Sequence, residues 1–240
     1  MNSITAVQNF FKSLTCVDLS TLLENGIPRA LTHPPFVINP TITHDHDGYY
    51  CQTIFMPEHI GTHVDAPSHM HPELKDDTID VAQVDCLVGV AKVIDFSYLD
   101  AKPGQIVKFD EFIKVQNELK ISIEEGDIVL FNFGYAKKFW SVKDWKFFGS
   151  NAPGLSKEIA EYLCLKKVKA IGTDTFAAGT PAVDGKESDC YIHKLALGSG
   201  IYLMECLMNL ETLPGEVFFF AAPLKLKNGS GSPIRALAYY

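Results

Sequence analysis

No stretch of this sequence is apolar for long enough to cross a bilayer. The most hydrophobic segments, Leu87 to Ile94 and Val217 to Ala222, fall far short of the roughly 20 residues a spanning helix needs. Basic residues are also short. Lys and Arg number 21 against 29 Asp and Glu, a net charge of −8, and a nucleic-acid partner is not expected without a basic face. The six cysteines, at 16, 51, 86, 164, 190 and 206, form no Cys-x-x-Cys pair, and they are expected to be reduced and buried. The N-terminal segment lacks a basic stretch followed by a long apolar core, so no secretory signal is read there and a cytoplasmic protein is expected. No repeat, low-complexity run or linker divides the chain, and residues 1–240 are expected to form a single domain.

What is present is core-forming material: 47% hydrophobic residues in 240, enough to rule out disorder as the main state. Ile4, Val7, Phe10 and Leu14 recur at helical spacing after Ser3. Strands are predicted at Cys16–Leu19, Tyr49–Met56, Val88–Asp95, Asp127–Phe133 and Val168–Gly172. Further strands are predicted at Ile201–Cys206, Glu216–Ala222 and Ile234–Tyr239. Helices are predicted at Phe109–Leu119, Leu155–Lys166 and Ser188–Leu197, and residues 24–48 read mostly as loop. The alternation implies an α/β protein with a mixed sheet or barrel-like core flanked by helices, and an antiparallel element near the C-terminus.

Half of the eight histidines lie within 13 residues, from His59 to His71. Imidazole and carboxylate together suit zinc, manganese or iron, whereas calcium and magnesium prefer oxygen alone. His63 and Asp65 are two apart, so an extended chain points both to one side. Gly61 permits a tight turn that brings His59 to the same point, and Pro67 stiffens the exit toward His69. The helical H-E-x-x-H pattern is absent, because Glu58 precedes His59 and Gly61 interrupts any helix. Downstream, Glu205 stands in an otherwise apolar run, Ile201 to Met208, where a carboxylate costs several kcal/mol unless paired or bound to a cation.

His59-x-Gly61-Thr62-His63-x-Asp65-x-Pro67-x-His69 resembles the H-x-G-T-H-x-D-x-P-x-H signature of the cyclase family of metal-dependent hydrolases, which includes kynurenine formamidases and isatin hydrolases. Asp18-Leu19-Ser20, Gly126-Asp127, Gly154-Leu155-Ser156, Gly172-Thr173-Asp174-Thr175 and the segment Gly231 to Ala236 resemble further family segments. The resemblance implies the family's swivelling β/β/α fold. It implies that His59, His63 and Asp65 hold one metal and that Asp65, His193 and Glu205 hold a second, as one or two Zn2+ or Mn2+ ions per chain. It assigns His69 as the acid/base residue and His71 as an ordinary loop residue. The implied activity is hydrolysis of a C–N bond in a small amide, formamide or cyclic amide, by a homo-oligomer acting away from membranes.

Two other readings remain open: a hydrolase or lyase of this fold acting on another small carbonyl compound, and a non-catalytic binder of metal or metabolite. A histidine beyond the ligand set speaks against the binder. Kynurenine formamidases carry a W-P-G-D type segment near the N-terminus, where this chain has Ala30 to Phe36 with His33 and no tryptophan. The aromatic segment Phe139 to Phe148 is left open as core, dimer contact or pocket lid, and His44 to Asp47 reads as a solvated loop.

Overall fold

The computed structural model describes residues 3–30, 32–100, 102, 104–176, 178 and 190–240. In chain order the first elements are α1 (Ser3–Ser13), β1 (Cys16–Asp18), β2 (Val37–Ile42), α2 (His44–Asp47), β3 (Cys51–Phe55), β4 (His63–Asp65) and β5 (Val88–Asp95). Next come β6 (Ile106–Val107), α3 (Phe109–Glu118), β7 (Ile128–Asn132), α4 (Tyr135–Phe139), α5 (Trp145–Asn151), β8 (Gly154–Leu155) and α6 (Lys157–Lys166). The chain closes with β9 (Ala170–Thr173), α7 (Tyr191–Gly198), β10 (Tyr202–Glu205), β11 (Glu216–Phe220), β12 (Gly231–Pro233) and β13 (Leu237–Tyr239).

Nine strands form one mixed sheet in the order β1-β13-β11-β5-β7-β9-β10-β4-β12. The centre, from β5 through β7 and β9 to β10, is parallel, and both flanks are antiparallel. This is the α/β mixed sheet the alternation implied, with its antiparallel part near the C-terminus. Central strands are covered on both faces, and β7 shows why it reads as one apolar run. Ile128 and Leu130 pack with Leu19, Val64 and Phe219 in the core on one face, while Val129 and Phe131 pack with Phe112, Ile159 and Ala196 on the other. Among the described residues no helix is long and apolar enough to cross a membrane.

Several expectations are corrected. Leu155 is a strand residue, not the start of a helix, because its backbone pairs with Val107 and Ser156 occupies the cap position of α6. The stretch 24–48 is mostly loop as expected, but it also contains β2, which closes a hairpin with β3, and the one-turn α2. The expected strand Ile234–Tyr239 begins at Leu237, and the residues before Ile234 form β12, at the opposite edge of the sheet from β1. The third predicted helix starts at Tyr191; residues 188 and 189 lie outside the described ones. The cysteines are free, but Cys16 and Cys51 are exposed because β1 and β3 lie at sheet edges, and Cys164 on α6 and Cys190 before α7 are only half-buried. In the aromatic segment Trp140 and Phe148 are core, the latter 4.8 Å from Tyr135 and 5.1 Å from Phe176 between ring centroids.

Candidate metal centre

The site is assembled where β4 lies between β10 and β12. β4 is three residues long and wholly buried. Val64 points into the apolar core, so the alternation of a strand sends His63 and Asp65 to the other face. Antiparallel pairing sets Glu205 opposite His63 and Leu203 opposite Asp65. Gly61 adopts φ +60°, and a Cβ there would lie 2.5 Å from Leu23 Cδ2 and 2.8 Å from Thr21 Oγ1. Thr62 fixes the turn: its hydroxyl donates to the Cys206 carbonyl at 2.7 Å and accepts from the Thr21 amide at 2.8 Å. The segment Pro67–His69 continues as a 3-10 turn, and α7 presents His193 from its buried face beside Ile192 and Ala196.

All six residues singled out in the sequence converge here, and five of them are buried. His59 Nδ1 lies 2.6 Å from Asp65 Oδ1, and His63 Nε2 lies 3.4 Å from Asp65 Oδ1 and 3.5 Å from Glu205 Oε2. His193 Nε2 lies 3.2 Å from Asp65 Oδ2 and 3.1 Å from Glu205 Oε1. His69, half-buried, places its ring 4.0 Å from that of His59 and 6.0 Å from that of His193. Two triplets have donor atoms mutually within 4.8 Å: His59, Asp65 and His69, and His63, Asp65 and Glu205. Asp65 belongs to both.

The charge balance tests whether this cluster fits a cation. Burial alone depresses His63 and His193, but the Asp65 and Glu205 carboxylates outweigh it and raise them to about 9 and about 10. Burial pushes Asp65 up, and the surrounding imidazoles His59, His193 and His63 overcome it and hold Asp65 well below the usual carboxylate range. The two carboxylates therefore draw positive charge onto imidazoles that would otherwise be neutral. His193 Nε2 reaches Asp65 Oδ2 in distance but not in hydrogen-bond direction, so Oδ2 is buried without a hydrogen-bond partner among the described residues. His63 Nδ1 donates to the Gly61 carbonyl at 2.8 Å, so Nε2 is the nitrogen that faces both carboxylates and would meet a metal once its proton is displaced. Imidazole nitrogens and carboxylate oxygens around an unsatisfied anionic oxygen fit a divalent metal.

The family model for Cyclase, described as "Putative cyclase", matches residues 17–179. The chain belongs to the cyclase family. Across 92% of its length it is 30% identical to isatin hydrolase from Roseibium aggregatum, covering 90% of that protein. It is 28% identical to kynurenine formamidase from Bacillus cytotoxicus, over 94% of this chain and 98% of that one. Among solved structures, an isatin hydrolase bound to the product analogue thioisatinate superposes with a TM-score of 0.87 at 27% identity, covering 100% of this chain and 99% of the other. Isatin hydrolase A from Labrenzia aggregata gives 0.86 at 29% identity, with 99% of each chain covered.

Within this cyclase-family site three residues escaped the sequence reading as contributors. His33, in the stretch that departs from W-P-G-D, has its ring 5.7 Å from that of His59, and its Nδ1 lies 3.3 Å from the His59 carbonyl. Its loop is anchored by Arg29, which bonds the His33 carbonyl and lays its guanidinium 4.1 Å over the Trp145 ring. Glu58 and Ser230 meet His59 from the side away from Asp65. Glu58 adjoins the signature and could have been noticed; Ser230 reaches the site only through β12. His71 stays outside the cluster, bonded to Glu73 and to the Lys194 carbonyl. The His44–Asp47 turn is exposed and belongs to no triplet.

Proposed function

We propose that this chain is a metal-dependent hydrolase that breaks the C–N bond of a small amide, with a formamide or a cyclic amide as the substrate class. The observation that carries the reading is the buried cluster of imidazoles around Asp65 and Glu205, with its demand for positive charge, in a chain similar over nearly its whole length to isatin hydrolase and kynurenine formamidase. We assign His59, His63 and Asp65 to one ion and Asp65, His193 and Glu205 to a second, with Zn2+ or Mn2+ as the ions that suit nitrogen and oxygen together. A divalent ion bound there supplies Lewis acidity toward the scissile carbonyl and makes water a better nucleophile near neutral pH.

The remaining work falls to the protein. Burial lowers His69 to about 4, against the opposing pull of Asp65, so its ring is neutral near neutral pH and carries a free lone pair. Half-exposed above the cluster, it takes the proton of the attacking water and returns it to the departing nitrogen. Asp65 and Glu205 face the Nε2 atoms of His63 and His193 and keep the four side chains gathered at one place. Leu203, the strand partner of Asp65, and Ile60, next to His59, are both fully buried.

We also assign the chain to one domain, supported by a sheet whose strands run from Cys16 to Tyr239. We assign it to a homo-oligomer, supported by the exposed apolar side chains Ile54 and Phe55 on β3 and Ile4 and Phe10 on α1. Six free cysteines support a reducing compartment, the cytoplasm. The test of function is a panel of isatin, an N-formyl anilide and an aryl lactone, given to protein reconstituted with Mn2+ or Zn2+. Turnover of an amide supports the reading, and turnover confined to the lactone redirects it to carbon–oxygen bonds.

A further inference from the structure

His59 differs from the other two buried imidazoles of the centre. His63 and His193 face Asp65 and Glu205 with Nε2, whereas His59 faces Asp65 with Nδ1, at 2.6 Å. Its Nε2 looks the other way, 2.8 Å from the Ser230 hydroxyl. That hydroxyl lies 2.8 Å from Glu58 Oε2, and the same oxygen accepts the Ser230 amide at 2.9 Å.

A proton inventory settles the direction of this chain. A serine hydroxyl has one proton to give and two lone pairs. If it gave that proton to His59, an oxygen lone pair would face a carboxylate oxygen at 2.8 Å, a repulsive contact. The proton therefore lies between Ser230 and Glu58, and toward His59 the hydroxyl can only accept. Nε2 must carry hydrogen; without a metal Nδ1 donates to Asp65 Oδ1 at 2.6 Å, and a metal beside Asp65 would displace that proton and meet the Nδ1 lone pair.

The neighbouring glycines make room for this contact. A Cβ on Gly231 would stand 2.5 Å from His59 Cε1, and one on Gly229 would stand 3.0 Å from Glu58 Oε1. Close approach of the Gly229-Ser230-Gly231 backbone is what lets β12 reach both side chains.

We propose that Glu58 and Ser230 are positioning residues that hold the proton on His59 Nε2 and so aim Nδ1 at the metal. The inference rests on the metal-centre reading above, but its core is a protonated Nε2 that is measurable without substrate.

The experiment uses full-length protein labelled with 15N-histidine, with and without Zn2+, and metal dissociation constants from competition titration. Wild-type protein should show His59 with a protonated Nε2, and the metal should shift the Nδ1 resonance. Ser230→Ala is nearly isosteric. It should weaken metal binding by about 10–100-fold, the usual loss for a group that orients a ligand, and Ser230→Thr, which keeps the hydroxyl, should restore it. Glu58→Leu should act in the same direction, because it frees the Ser230 proton to be given to Nε2. A wild-type ring with no proton on Nε2, or unchanged metal affinity in both Ser230→Ala and Glu58→Leu, overturns the proposal. Should the wild-type chain bind neither Zn2+ nor Mn2+, the metal-centre reading falls and the metal-free spectra still decide the lock. An Nε2 proton protected from exchange in wild type and exposed in Ser230→Ala supports it, and equal exchange overturns it.

Discussion

His63 and Glu205 are direct partners across one antiparallel strand pair, with His63 Nε2 3.5 Å from Glu205 Oε2. The register of β4 against β10 is therefore part of the chemistry. A slip of one residue would turn His63 and Asp65 into the apolar core and Val64 into the site. Val64, fully buried on the opposite face, holds the register in place.

Ligands and proton carrier should separate under mutation. We expect His63→Ala and Asp65→Ala to lose metal and activity together. His69→Ala should keep its metal and lose about 10²–10⁴-fold in turnover, the range of a general acid/base residue. Metal content and turnover measured side by side decide it. Because His69 shares a triplet with His59 and Asp65, metal loss in His69→Ala as complete as in His63→Ala would make it a ligand instead.

Thr62 joins the turn before β4 to the end of β10, and its methyl-for-hydroxyl replacement should be expensive. In Thr62→Val the Thr21 amide and the Cys206 carbonyl both lose a buried partner. Each such group costs about 1–3 kcal/mol, so a loss of about 2–6 kcal/mol in denaturant unfolding is expected. Thr62→Ser should recover most of it, and equal losses in the two variants would mean that the methyl, not the hydroxyl, carries the stability.

The signature histidines, Asp65 and the candidate Glu205 were legible because charge in an apolar run and alternation along a short strand survive in one dimension. The parallel core was legible because β7 is a buried run of ordinary length and β5 carries an apolar stretch buried at Ala91, Val93 and Ile94. Ser230 was not, since a lone serine between glycines carries no pattern until β12 pairs with β4. His33 was hidden by a loop whose position is set by Arg29 on Trp145, a contact between distant segments. The hairpin of β2 and β3 was half missed because Pro40 and exposed side chains blur the period-2 pattern that a buried strand shows.

His71 should make the attachment of α7 dependent on pH. Its pKa is raised, first by the bond to Glu73 and then by the bond to the Lys194 carbonyl next to His193. A raised folded value means the protonated ring stabilises the fold below the ordinary value of 6.5, and this contribution fades as pH climbs through the folded value. His71→Gln should therefore lower the melting temperature more near pH 5.5 than near pH 8.5, both round figures chosen to bracket the titration. An equal drop at the two pH values would remove the titration from the account of this contact.

His33 should tune substrate binding without holding metal. Its ring lies beside His59, and its Nδ1 is committed to the His59 carbonyl. His33→Phe keeps a flat ring, and we expect it to raise KM for amides about tenfold, the worth of a single hydrogen bond, with metal content unchanged. Loss of metal from this variant would show instead that His33 supports the ligands.

The most direct test is hydrolysis of the amide panel by one preparation carried through three states: metal-loaded, stripped by chelator, and reloaded. Turnover of isatin or the N-formyl anilide should be present, then lost with the metal, then restored on reloading, with one or two ions per chain in the active states. Amide hydrolysis that persists undiminished after the metal is gone, or protein that binds the ions stoichiometrically and cleaves none of the amides, would contradict a metal-dependent amide hydrolase built on Asp65 and Glu205.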